Sequence, residues 1–128
     1  MLSYGFKKAL NLPFEKTIKK VTAELKKEGF GVLTEIDVKE VLKKKLDVDF
    51  PRYRILGACN PPNAYKSLQA EEDIGLMLPC NVIIYEKGEN TVVSVIKPTA
   101  AMGMISNPEL REIAETVEEK LKRVFESL

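Results

Sequence analysis

Two β-branched runs, Cys80-Asn81-Val82-Ile83-Ile84-Tyr85-Glu86 and Thr91-Val92-Val93-Ser94-Val95-Ile96, flank the short connection Lys87-Gly88-Glu89-Asn90. Such residues suit a pleated backbone, and a Gly-bearing connection of this length between them signals a hairpin. The segment beyond has a different period. Asn107 suits an N-cap and Pro108 a first helical position. Leu110, Ile113, Ala114, Val117, Leu121, Val124, Phe125 and Leu128 then keep helical spacing. A hairpin feeding a long one-sided helix calls for a sheet with helices packed on it.

The rest of the chain reads the same way. Residues 2–9 are expected as a first strand, with Leu2, Tyr4, Phe6 and Lys8 on one parity. Pro13 is expected to open a helix over 13–28, which carries Phe14, Ile18, Val21 and Leu25 on one face. Gly29 suits its C-terminal stop. Residues 31–36 form a second strand. Asp37 then caps a short helix, with Glu40 in capping-box position and Lys43-Lys44-Lys45 near its end. Residues 53–59 form a third strand. Pro61-Pro62 ends it and permits a short helix through Ala64, Leu68 and Ala70; a loop through Asp73, Gly75 and Pro79 follows. Pro98 closes the last strand, and 99–105 is a long connection of small and apolar residues. The expected fold class is α+β: two layers, a largely antiparallel sheet with two long helices on one face and short helical insertions.

A chain of 128 residues is read as one domain, 1–128, able to bury a core without staples. Its formal charge of +1 gives no global attraction to nucleic acid. The start lacks a secretory pattern, no apolar run reaches membrane-spanning length, and two cysteines make no disulfide scaffold. The expectation is a soluble, cytoplasmic protein with no membrane and no nucleic-acid partner.

There is no histidine and no tryptophan. Cys-His and Ser-His-Asp catalysis are therefore excluded. Two thiols without histidine also make too few ligands for an ordinary closed zinc site, so no metal is expected. Glycine spacing excludes a phosphate-binding loop. The chemistry left belongs to Cys59 and Cys80, each in a Pro- and Asn-marked turn. In an antiparallel meander, the end of strand three, the start of strand four and the end of strand five share one sheet edge. Cys59, Cys80 and the 97–104 segment would meet there. Buried core thiols, a reactive pair and an incomplete metal site compete as readings. A reactive pair needs a lowered pKa, for which the helix after Pro61-Pro62, Lys97 or Arg54 are the available sources.

Three stretches carry a family resemblance: Glu28-Gly29-Phe30-Gly31-Val32-Leu33-Thr34-Glu35-Ile36-Asp37-Val38, Tyr53-Arg54-Ile55-Leu56-Gly57-Ala58-Cys59-Asn60-Pro61, and Leu78-Pro79-Cys80-Asn81-Val82. On these the chain resembles the DUF302 family of unknown function. The resemblance implies a fold like that of the TATA-box-binding protein: strand, helix, four strands, helix, with small inserted helices. It implies neither DNA binding nor any established activity or cofactor.

Two function classes stay open. In one, a small apolar or thiol-reactive molecule binds near Cys59 and Cys80, with thiol or sulfur-related chemistry. Asn60 and Asn81 would orient it, while Lys97, Thr99, Met102 and Met104 would surround it. In the other, the chain is a non-enzymatic homodimeric structural module, pairing through a sheet edge or an exposed helix face, with buried structural cysteines.

Overall fold

A computed structural model describes residues 2–128. Strands β1 (Gly5–Leu10), β2 (Gly31–Asp37), β3 (Tyr53–Cys59), β4 (Cys80–Lys87) and β5 (Asn90–Ile96) form one sheet in the order β1-β5-β4-β3-β2. Every neighbouring pair is antiparallel. The helices are α1 (Phe14–Lys27), α2 (Val38–Leu46), α3 (Pro61–Ala70), α4 (Pro98–Ala101) and α5 (Pro108–Glu126), with a 3-10 segment at Glu72–Met77.

The hairpin is tighter than the sequence suggests. Lys87 pairs with Asn90, leaving Gly88-Glu89 as the turn. Gly88 sits at φ +62°, in the region where glycine has no steric penalty. The first strand is shifted. Leu2–Tyr4 lie outside it, Tyr4 is exposed, and pairing with β5 runs from Gly5 to Leu10. The parity of Phe6 and Lys8 holds: Phe6 stacks on Phe125 at 5.5 Å, and the Lys8 ammonium lies 4.3 Å from the same ring centroid. Pro13 is the N-cap of α1 rather than its first helical residue. Asp37 accepts a bond from the Glu40 amide, but the Glu40 carboxylate pairs with Lys44 instead of reaching back.

One core cluster explains the layering. Ile18, Val21 and Leu25 of α1 and Val117, Leu121 and Val124 of α5 pack on Leu56, Val82, Ile84, Val93 and Val95 of the sheet. Those strand positions share one face through the registers Leu56↔Val82, Val82↔Val95 and Ile84↔Val93. Both long helices therefore cover the same side. The expected loops are partly helical: 71–79 holds the 3-10 segment and 97–106 holds α4. Ile74, Met102, Leu110 and Ala114 join these pieces in a smaller cluster. None of the described helices is long and apolar enough to cross a membrane.

Candidate functional site

The meander brings the expected residues to one sheet end. Cys59 pairs with Gly31, and Ala58, its neighbour, pairs with Cys80. The β5 strand ends beside them and runs into α4. Cys59, Asn60, Cys80 and Met102 line a cavity of about 30 Å3, closed by Phe30 and Val117. A cavity of about 240 Å3 shares Leu78, Cys80, Pro98 and Met102 with it and adds Met77 and Asn81. A third, of about 250 Å3, has Thr99, Met102 and Arg111 in its wall. Met102 is the one residue common to all three.

Several of these side chains already have structural partners. Asn60 is the buried N-cap of α3. Its Oδ1 accepts from the amide and Nδ2 of Asn63, and its Nδ2 donates to the Glu28 carbonyl at 3.2 Å. It thereby ties the start of α3 to the end of α1. A Cβ on Gly29 would stand 3.1 Å from that Asn60 Nδ2, and Gly29 itself sits at φ +84°. Close approach and left-handed backbone both call for glycine there. The Thr99 amide and hydroxyl both donate to Glu118 Oε1, at 3.1 and 2.6 Å, fastening α4 to α5.

The thiols differ. Cys59 is half-buried and Cys80 is buried; both are free. Burial, followed by the neighbouring Cys59, pushes the Cys80 thiol up to about 11. The expected lowering by nearby positive charge fails at Cys80 for a geometric reason. The Lys97 ammonium lies 5.0 Å from the Phe6 ring centroid, and Lys97 lines none of the three cavities. Arg54 is held by Glu15, Glu35 and Asp37 at the other end of β3. Asn81 is exposed on the rim of the second cavity. Met104 is 80% exposed and lines no cavity of the three. Among the described residues, no group of three or more His, Cys, Asp or Glu is placed to hold a metal.

Sequence reasoning missed Met77, Leu78, Asn63, Ser67 and Ala114 as lining residues. Leu78 was legible beside Pro79-Cys80, and Ala114 as a small position on the inner stripe of α5. Met77 depended on the 3-10 segment, which carried no periodic signal.

The class is thus an α+β domain with a five-stranded antiparallel sheet, several helices and a sulfur-lined seam at one sheet end. A family model described as "Domain of unknown function DUF302" matches residues 6–128, and the chain belongs to that family. It is similar to a crystal structure of an uncharacterized conserved DUF302 protein from Bacillus stearothermophilus. The two are 32% identical, each chain is covered over 98%, and the TM-score is 0.90. No protein of curated function matches.

Proposed function

We propose that this domain binds a small, mostly apolar molecule at the cysteine end of its sheet. The observation that carries the reading is Met102, the shared wall of three adjoining cavities. The innermost holds about 30 Å3, room for little more than a water. Joined to the 240 Å3 cavity beside it, the space approaches the ~300 Å3 at which ligand pockets begin. An unbranched thioether side chain can swing to join them at low cost. Leu78, Cys80 and Pro98 would line the apolar path, with Asn60 at the inner end and Asn81 at the rim. Any sulfur-related chemistry falls to Cys59, because Cys80 keeps its proton at neutral pH.

The same reading takes residues 1–128 as one domain and the cytoplasm as its compartment. The order strand, helix, four strands, helix supports a likeness to the TATA-box-binding-protein fold, and no nucleic-acid role is attached to it.

Titrating indole into protein labelled with 13C at its methionine methyls tests the site. Saturable shifts are expected at Met102 and Met77, with Met104 unmoved, and Met102→Trp should remove the shift at Met77. Shifts that never saturate, or that favour Met104, would reject the site. A second reading, assembly into a homodimer, is favoured by a separate observation: one face of the sheet carries apolar residues that belong to neither core cluster.

A further inference from the structure

The registers lay two rows across the face opposite α1 and α5. One runs Ile36, Ile55, Ile83, Ser94 and Lys7; the other runs Tyr53, Tyr85, Val92 and Ala9. None of these residues belongs to the clusters that join sheet and helices. Tyr53 and Tyr85 stack at 5.2 Å with planes 9° apart, and Phe50 extends the second row at 6.2 Å from Tyr53. Ile36 is 46% exposed and Phe50 38%. Burial, then the phenols of Tyr85 and Tyr4, push the Tyr53 hydroxyl above its ordinary value. Val92 and Ser94 are buried at 4% and 7%, and the half-buried Ile55, Ile83, Tyr53 and Tyr85 with Ile36 and Phe50 form a mainly apolar and aromatic platform on the β2-β3-β4 side of this face.

We infer that this platform is a homodimer interface, covered by the same face of a second copy of this chain. The inference rests on the assembly reading and names its surface. Charge favours a second copy over a polar partner. Lys7 is the sole ionic side chain in the two rows, and its ammonium already lies 5.9 Å from the Tyr85 ring centroid. One cation offers little to phosphates or to an acidic peptide. A twisted sheet face with so little charge is matched by its own copy, packed at the small angle common to stacked sheets.

Size points the same way. Five strands about 4.8 Å apart and roughly six residues long cover about 24 by 20 Å. Side-chain relief, Phe50 and Tyr4 raise the accessible area toward the roughly 800 Å2 per partner of a standard interface. The sheet edges are less suited. The edge strand β1 carries Lys7-Lys8, and β2 is bulged at Leu33 between Val32 and Thr34. Edge lysines and bulges both oppose strand-to-strand pairing.

Sedimentation velocity on the full chain tests this. The wild type is expected to be dimeric at roughly tens of micromolar protein, because interfaces of standard size span micromolar to picomolar affinities. Ile83→Lys should keep its far-UV spectrum and weaken the dimer by about 100-fold, because it places a charge at the centre of the interface. Leu33→Lys, on the bulged edge, should leave the dimer intact. A wild type that is monomeric at every concentration overturns both the assembly reading and its surface. A dimer that survives Ile83→Lys and is lost with Leu33→Lys overturns the surface alone. Should Ile83→Lys fail to fold, methyl spectra of Ile55 and Ile83 in the wild type decide. Concentration-dependent shifts confined to this face support the inference, and their absence in a dimer rejects it.

Discussion

Leu25→Ala is expected to lower unfolding free energy by about 2–5 kcal/mol, the range for emptying a leucine site in a packed core. Leu25 has no exposed surface and sits in the last turn of α1, within the cluster that joins both long helices to the sheet. Its carbonyl also accepts the amides of Glu28 and Phe30, at 3.1 and 3.0 Å, where the chain reverses into β2. Those backbone bonds survive the substitution, so the loss isolates packing and the cavity left behind. Leu76→Ala is the contrast: Leu76 is 89% exposed, and its truncation should stay within about 0.5 kcal/mol. Urea unfolding measures both. A Leu25→Ala cost below about 1 kcal/mol would mean that α1 is not packed as described.

Cys80 should be nearly inert to thiol reagents in the folded protein and should make stability fall above pH 9. Burial raises its thiol from an ordinary 9.0 to about 11. Each unit is tenfold in thiolate, so at pH 8 its thiolate fraction should be about 100-fold below an ordinary thiol's. Limited access slows it further. Between pH 9 and 11 the folded state keeps a proton that the unfolded chain releases. Stability contributed by this group is therefore full below pH 9 and declines as pH rises toward 11, by about 2–3 kcal/mol in total. Cys80→Ala should flatten that decline relative to wild type. Labelling of Cys80 at the rate of a free thiol, or an unchanged pH slope in Cys80→Ala, contradicts a buried, protonated thiol. The half-buried Cys59 is the faster-labelling position.

Periodic segments were legible in the sequence because they bury one stripe. Asn107-Pro108 and the spacing from Leu110 to Val124 marked α5, while β-branched runs marked β4 and β5. The meander also made the convergence of Cys59 and Cys80 legible, since antiparallel neighbours share an edge. Short pieces were less so. The segments Glu72–Met77 and Pro98–Ala101 are too short for a period, and their order comes from contacts among Ile74, Met102 and Leu110, far apart in sequence. Proximity in sequence alone points Lys97 and Met104 at the site. Lys97 instead meets Phe6, while Met104 turns outward. Side-chain direction at a strand end depends on such tertiary partners, which a local pattern does not contain.

Xenon under pressure in a crystal of the protein tests the binding account most directly. Xenon enters apolar cavities without needing polar partners. The account predicts a xenon site bounded by Leu78, Cys80, Pro98 and Met102, with Met102 displaced toward the third cavity. Xenon bound elsewhere while this seam stays empty, with Met102 unmoved, would contradict it.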